Sequence, residues 1–422
     1  MSESAASTLA RISLFVGKGG VGKSTLAAAT AVGDARAGRR VLLVSTDQAH
    51  SVGDVLGVAV PPTGRGDPVP VVVDDAGIGA GAGVLDALAL DTAALLEARW
   101  REVAAMFDER FPDSELGAVA PEELSAVPGI QEILGLHRVG ELAAAGRWDR
   151  IVVDCASTAD ALRMLTLPAT VEFYVERAWP RHRRLSAGAE GAASVAVVDL
   201  LERVNAGVQR LGALLTDGQR VRAHLVLTAE RVVAAEAVRT LGSLALMGVH
   251  VAELIVNQVL VQDDSYEYRN LPDHPAFDWY AERIAEQRAV LDELDAAIGD
   301  VALVLAPHLA GEPIGPKALG ELLDTVRRRD GSPPPGPLRP VVDLESGSGL
   351  GSVYRLRLEL PQIDSGALSL GRVDDDLIIS AGGMRRRVRL ASVLRRCTVL
   401  DATLRGTELT VRFRPDPEVW PQ

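Results

Sequence analysis

Eight consecutive residues near the amino terminus have the types and the spacing that are needed to hold a phosphate group. They are Gly17, Lys18, Gly19, Gly20, Val21, Gly22, Lys23 and Ser24. Glycines let backbone N–H groups turn inward around an anion, and the amino terminus of a following helix adds positive potential. Lys23 is placed to reach the β- and γ-phosphates of a nucleotide, and Ser24 offers a hydroxyl to Mg²⁺, which prefers hard oxygen ligands. This run, with Thr25 directly after it, predicts a site for a nucleoside triphosphate and Mg²⁺.

The elements predicted on either side of this run are those that such a site requires. An apolar strand is predicted for residues 12–16, and an Ala-rich helix for 23–37, with Gly38 placed to end it. A second buried strand is predicted for 41–45. This strand–loop–helix–strand order is the opening unit of an α/β sheet, so it disfavours the alternative of a merely structural Gly-rich turn.

A second lysine inside the loop, Lys18, gives the pattern KGGxGK[ST]. That pattern resembles the deviant Walker motif of nucleotide-dependent dimerising ATPases, the group that includes MinD, ParA and the nitrogenase iron protein. The resemblance implies a homodimer in which Lys18 reaches the ATP of the other subunit. The alternative is a solvated loop lysine.

Four further stretches resemble, in sequence and in order, those of the ArsA-type ATPases. This family comprises the arsenite-pump ATPase and the targeting factors for tail-anchored membrane proteins. The stretches are residues 45–51 (STDQAHS), 128–132 (PGIQE), 154–168 (DCASTADALRMLTLP) and 255–258 (IVNQ). The resemblance covers about residues 11–325 and implies a P-loop fold with ATP as the nucleotide and two switch segments.

The resemblance also implies roles for individual residues. Asp47 would orient and deprotonate the attacking water, and with Lys18 and Lys23 it forms the predicted catalytic set. Asp154, at the end of a buried strand, would hold Mg²⁺ through water, because ligands bind at the carboxyl ends of such strands. Ser24, Asp47 and Asp154 are therefore the predicted metal residues.

Two residues further along the chain are expected at the adenine. Asn257 would bond the edge of the base and Pro307 would line its pocket, whereas the simpler interpretation of Asn257 is an ordinary loop residue. For Asp47 the corresponding alternative is a helix N-cap or turn aspartate. The sequence departs from the family at Gln48, which replaces a proline, and from Cys155 onward. We interpret Cys155 as a small buried packing residue.

The rest of the chain to residue 330 is predicted to complete a doubly wound, mostly parallel α/β sheet with a helical insert. Residues 62–83 are rich in Pro, Gly and Val and predict an extended excursion. Residues 85–111 and 130–145 are predicted to be helical, and the insert comprises about 84–145 and 180–220. Helices are also expected between strands and at 284–298. Strands are expected at 150–153, 223–227, 253–256 and 301–305.

The carboxyl-terminal part has a different character. Residues 331–340 (GSPPPGPLRP) are too rich in proline for a helix or a central strand and predict a stiff linker. Short runs with period-two alternation follow, which predict an antiparallel β-sandwich over 341–422. These runs resemble the α-crystallin (small heat-shock protein) fold, which some ArsA-like ATPases carry at this end. The domain is either chaperone-like or a structural appendage, and we interpret its basic run, 385–389, as a solvated strand face.

An amphipathic helix is predicted at residues 195–215. Besides the carboxyl-terminal domain, it is a candidate for binding a hydrophobic protein client. Its apolar seam has the spacing of one helix face. The seam residues are Val197, Leu201, Val204, Val208, Leu211 and Leu215. In the targeting factors, helices in this region form a groove for a client transmembrane helix, and helix-in-groove binding would use such a stripe. The alternative is packing on the protein's own core.

Composition excludes several classes of function. The formal net charge of −13 disfavours nucleic-acid partners. The two cysteines, Cys155 and Cys397, are far apart in sequence and have no CxxC partner, so a zinc site or disulfide framework is not expected. Neither a bilayer-spanning apolar run nor a signal peptide is recognisable, so we expect no stable membrane insertion and a cytoplasmic location.

These observations predict a homodimeric Mg-ATP-dependent ATPase that couples hydrolysis to the capture and release of a hydrophobic protein client. A second hypothesis is a nucleotide-switched regulatory scaffold of the MinD/ParA type that has no hydrophobic client. An arsenite or metalloid efflux ATPase is a third, and it is disfavoured because arsenite needs a cluster of thiolates.

Overall fold

The computed structural model describes most of the chain. The described residues are 10–47, 51–64, 67–73, 83–110, 130–158, 161–162, 192–260, 274–329, 340–360, 366, 368–381 and 384–420. They form two compact units. One consists of the residues up to Arg222 together with Leu309–Val326, and the other of Ala223–His308 together with the residues from Arg327 onward.

The helices and strands are as follows. The helices are α1 Lys23–Arg36, α2 Val52–Leu56, α3 Thr92–Arg110, α4 Ile130–Ala144, α5 Ala192–Leu215, α6 Arg231–Met247, α7 Pro275–Ala297, α8 Gly315–Thr325 and α9 Ser392–Arg395. The first ten strands are β1 Arg11–Gly17, β2 Arg40–Ser45, β3 Pro62–Thr63, β4 Val69–Val71, β5 Val84–Leu90, β6 Arg150–Asp154, β7 Val221–Thr228, β8 Val251–Val259, β9 Ala302–Pro307 and β10 Arg327–Arg328. The others are β11 Val341–Ser346, β12 Val353–Glu359, β13 Ser369–Val373, β14 Asp376–Ala381, β15 Met384–Arg389, β16 Cys397–Arg405 and β17 Glu408–Pro415.

The first unit is built on a parallel sheet with the strand order β1-β6-β2-β5-β3. Strand β4 adds to β5 in the antiparallel direction. Strands β1, β2 and β6 are buried on both faces, which explains their continuous apolar sequences. Helix α1 packs on this sheet through alanines, and its Gly33 approaches Leu323 of α8 closely. The predicted α/β class and the opening unit are confirmed.

One predicted helix is in fact a strand. Residues 85–111 were expected to be helical, but Val84–Leu90 is β5, which pairs with β2 on one side and β3 on the other. Its Ala- and Leu-rich sequence has high helix propensity, and burial between two strands overrides that propensity. The helical insert therefore begins at α3 and not at residue 84.

The second unit contains three parallel strands in the order β7-β8-β9, with the short β10 antiparallel to β9. Helix α6 connects β7 to β8 and is stopped by Gly248, whose φ of 80° is left-handed. The helices expected between these strands and at 284–298 are present, as α6 and as the longer α7. Among the described residues, no helix is both long enough and apolar enough to cross a bilayer.

The carboxyl-terminal part of the second unit is an antiparallel sandwich. One sheet has the order β11-β12-β17-β16 and the other β13-β14-β15. Their inward residues form a shared core that includes Leu356, Leu377, Val388 and Phe413, so the period-two prediction is confirmed. The Pro-rich linker, except for Pro340, lies outside the described residues, as do Pro128, Gly129, Gln48 and residues 163–168.

Candidate nucleotide site

The carboxyl ends of three strands meet at the predicted phosphate site. Asp154, the last residue of β6, is in register with Phe15 of β1 and with Ser45 of β2. The phosphate loop leaves β1 directly after this point, and Asp47 follows β2. The sheet therefore brings Lys18, Lys23, Ser24, Asp47 and Asp154 to one edge, where ligands bind in such folds.

The loop has the backbone conformation that only glycine adopts readily. Gly20 and Gly22 have φ values of 82° and 89°. A Cβ atom added at Gly19 or Gly20 would meet nothing within 4 Å, so the space beside these two glycines is open. Val21 is buried and anchors the loop, and helix α1 begins directly after Gly22.

The two residues with the clearest chemistry are fixed by hydrogen bonds. Lys23 is buried, and its Nζ donates to the carbonyl of Lys18 at 3.1 Å, across the loop. Ser24 Oγ lies 2.9 Å from Ser51 Oγ, directly before α2. Thr25 follows, partly buried, in the first turn of α1. Ser51 belongs to the quoted STDQAHS stretch, but its residue type and position there did not predict a role for it.

Asp154 is the residue that fits a cation best. It is fully buried, and neither carboxylate oxygen has a hydrogen-bond partner in the described structure. Burial raises the pKa of this carboxyl to about 6, and the negative charge of Asp47 adds to the rise, whereas the Ser24 hydroxyl and the Lys23 charge oppose it. Although Ser24 is close enough to lower this pKa, it does not satisfy either oxygen by hydrogen-bond geometry. A buried carboxylate without a donor, facing a serine hydroxyl, is a set of hard oxygens suited to Mg²⁺.

Hydrogen bonds at the end of β2 hold the segment that carries Asp47 next to Asp154. The Thr46 N–H donates to the Asp154 carbonyl at 3.0 Å, and the Asp47 N–H donates to Ser45 Oγ at 3.2 Å. Asp47 is partly exposed, as a group that orients water must be. Cys155, next to Asp154, is fully buried, and burial raises its thiol pKa to about 12, in agreement with a packing role.

The second unit holds the residues expected at the adenine. Asn257, which is buried, is in register with Thr228 of β7, and Pro307 pairs with Val259. Gln258, between them in sequence, has a left-handed φ of 57°. Asn257 is thus a strand residue and not the ordinary loop residue of the simpler interpretation.

Sequence reasoning missed Gln287, which fixes the end of β8. Its side chain is buried, its Oε1 accepts from the Leu260 N–H at 2.8 Å, and its Nε2 donates to the Gln258 carbonyl at 3.2 Å. A glutamine among the buried apolar positions of α7 is the signal that could have identified it, because a buried amide needs partners.

Comparison with known proteins identifies the family. Residues 10–327 match the model of the anion-transporting ATPases, and residues 351–413 match the HSP20-like domain found in ArsA. The second match agrees with the antiparallel sandwich and with the resemblance to small heat-shock proteins.

Individual relatives support this assignment. Protein Rv2184c of Mycobacterium tuberculosis is 77% identical over 421 residues, which cover 100% of both chains. A protein of Aquifex aeolicus whose name refers to an arsenical pump-driving ATPase is 23% identical over 410 residues, 95% of this chain and 99% of its own. The arsenical pump-driving ATPase of Escherichia coli is 28% identical over 256 residues, 60% of this chain and 40% of its own. The chain is therefore an ATPase that belongs to the anion-transporting, ArsA-type family.

Proposed function

We propose that the protein hydrolyses Mg-ATP as a homodimer and couples hydrolysis to the capture and release of a hydrophobic protein segment. The observation that carries the proposal is the buried, unpartnered carboxylate of Asp154 beside Lys23 and Ser24. Such a group is unfavourable in the empty protein and becomes favourable when a cation and a triphosphate arrive.

The residues of the site have separate tasks in this proposal. Backbone N–H groups of the glycine turn and the Lys23 ammonium bind phosphate oxygens. Ser24 and Asp154 would hold Mg²⁺, which neutralises phosphate charge when it is bound. Asp47 orients the attacking water and accepts its proton. Asn257 and Pro307 are assigned to the adenine, and Lys18 to the nucleotide of the second subunit.

The support for a hydrophobic client comes mainly from the HSP20-like domain. The helix seam at 195–215 supports it less, because its described residues Val208, Leu211 and Leu215 are buried in the first unit. Gly140 of α4 lies against Leu214 of α5, so this half of α5 packs on its own fold. The client surface is therefore not assigned to these three residues.

A second candidate function, metalloid efflux, is suggested by the names of the relatives. The chain has only two cysteines, and both are buried. Burial raises the thiol pKa of each, so neither is readily a thiolate, which is the form that binds soft ions. Two such cysteines cannot supply three thiolates to one arsenite, which favours the protein client.

The substitution Asp47→Asn tests the hydrolysis step. Without a base to orient water, we expect kcat to fall by about 100-fold or more while ATP affinity stays near that of the wild type. The variant should accumulate as an ATP-bound dimer in light scattering. Asp54→Asn removes the same charge from an exposed position on α2 and is the matched control. Normal turnover in Asp47→Asn would refute the assignment.

Client capture needs its own measurement. A labelled apolar peptide of transmembrane length should bind in Mg-ATP and be released after hydrolysis, as followed by fluorescence anisotropy. Asp47→Asn should retain the peptide. Turnover and dimerisation without any nucleotide-dependent peptide binding would instead support the regulatory scaffold.

A further inference from the structure

Several strands of the first unit's sheet have an arginine at their amino-terminal end, opposite the end that carries the phosphate loop. Arg11 is the first residue of β1 and Arg150 the first of β6, and the two are in register, so they project on the same side of the sheet. The segment before Arg222 is held on β1 by a bond from the Ile12 N–H to the Arg220 carbonyl at 2.7 Å. Arg39 approaches from the turn after α1.

These arginines have too few partners in the described structure. Arg39 and Arg150 share one carboxylate, that of Asp34, with Arg150 Nε at 3.8 Å from it. The buried Nε of Arg222 has no hydrogen-bond partner there. The carboxyl-terminal end of α1 adds only about half a negative charge. Four cations therefore face roughly one and a half negative charges.

The electrostatics of Arg150 show the same imbalance. Its pKa is lowered, first by burial and then by the charges of Arg39, Arg11 and Arg222, whereas Asp34 opposes the change. A concentration of positive charge is unusual in this part of a chain whose formal net charge is −13. Holding like charges together in a half-buried place is unfavourable unless an anion joins them.

We propose that Arg11, Arg39, Arg150 and Arg222 form a binding site for a phosphate group, separate from the nucleotide site. Guanidinium groups that neighbouring strands and the turn after α1 bring close together suit an anion with several oxygens and two charges, because each can donate two parallel hydrogen bonds. Asp34 keeps Arg39 and Arg150 in place. The phosphate belongs either to a small molecule or to the headgroup of an anionic lipid.

The test uses the full chain with saturating Mg-ADP, which fills the phosphate loop. Inorganic phosphate is titrated by calorimetry and by thermal unfolding, and vesicles of phosphatidylcholine with and without phosphatidylglycerol are used in flotation. The test variant is Arg11→Gln/Arg222→Gln. Arg11→Gln alone changes an exposed side chain and serves if the double variant does not fold. Arg101→Gln, exposed on α3 and paired with Glu97, is the control.

We expect wild type and Arg101→Gln to bind alike and the double variant to bind at least about ten-fold more weakly. Loss of phosphate binding would identify a small-molecule source, and loss of binding to the anionic vesicles alone would identify a lipid headgroup. No binding of either probe by the wild type, or equal binding by the double variant, would overturn the proposal.

Discussion

Asp154 gathers the chemistry of the nucleotide site in one side chain. It closes a strand that is buried on both faces, and no donor satisfies its oxygens in the described structure. A buried carboxyl without a partner prefers to be neutral, which is why its pKa rises to about 6. A bound cation would stabilise the charged form of this carboxyl. In the nucleotide-free protein the unpartnered charge lowers the free energy of unfolding.

This cost makes the stability of the nucleotide-free protein depend on pH. Because the pKa of Asp154 rises from 3.8 to about 6 on folding, the folded state binds more protons than the unfolded state between these values. Stability therefore falls as pH rises through this window, by about 3 kcal/mol in all. Asp154→Asn has no such titration, so in EDTA it should match the wild type near pH 4 and exceed its free energy of unfolding near pH 7.5.

Urea unfolding at a series of pH values measures the difference between the two proteins. Asp54→Asn, which removes the same charge from an exposed position on α2, is the matched control. Added Mg-ATP should stabilise the wild type and have little effect on Asp154→Asn. Parallel pH profiles for wild type and Asp154→Asn would contradict this account of the site.

The motif residues were predictable from sequence, whereas their supports were not. Lys23 and Ser24 lie in the spacing that phosphate binding requires, whereas Asp154 was predicted from the resemblance to the ArsA-type ATPases. Ser51 contacts a residue that is 27 positions away in the chain, and Gln287 contacts residues that are 27 and 29 positions away. Only the fold creates those contacts, and one sequence contains no direct sign of them.

At the scale of elements, β5 shows how neighbours decide secondary structure. Its local sequence favours a helix, yet the strand places Asp86 where Trp148 Nε1 donates to it at 2.8 Å. Arg147 donates to the same carboxylate at 3.3 Å and stacks on the Trp148 ring. These long-range contacts, with the pairing to β2, stabilise the strand. The local periodicity of the sequence does not predict them.

The start of β5 depends on a close approach that only glycine allows. The Gly83 N–H donates to the Ala35 carbonyl at 3.0 Å, and a Cβ added at Gly83 would overlap the Arg39 carbonyl and lie 2.6 Å from that of Ala35. Because both are backbone atoms, Gly83→Ala must displace β5 from α1. We expect a loss of about 2 kcal/mol in urea unfolding. Gly311→Ala, where a Cβ meets nothing within 4 Å, is the control, and equal effects would refute the close packing.

At the scale of the whole molecule, the distribution of charge divides the chain. Residues 340–422 contain 12 arginines and 11 acidic residues, so the net negative charge of the chain comes from the ATPase part. The alternating pattern of the carboxyl-terminal part predicted its sandwich correctly. It did not predict that one member of the basic run is partly buried, because four arginines in residues 385–389 look alike in the sequence.

The partly buried member is Arg386, which joins the sandwich to α6 within the second unit. Its Nη1 donates to the Ala245 carbonyl at 2.9 Å, and Leu246 belongs to the core of the sandwich. Burial lowers the pKa of Arg386 to about 10, so it stays charged at neutral pH. The interpretation of the whole run as a solvated face is therefore wrong at this residue. Within the second unit, the HSP20-like domain therefore contacts the ATPase fold at the end of α6.

The bond from Arg386 of the sandwich to Ala245 of α6 should contribute to the stability of the sandwich. Arg386→Ala leaves the α6 end without its charged donor, and we expect a loss of about 2 kcal/mol. Arg385→Ala removes the same charge from the adjacent exposed position and should change little. Hydrogen exchange supplies the local measurement, because Arg386→Ala should speed exchange at the amides of Gly248 and Val249, which close α6. If both variants exchange there like the wild type, Arg386 does not hold the sandwich to α6.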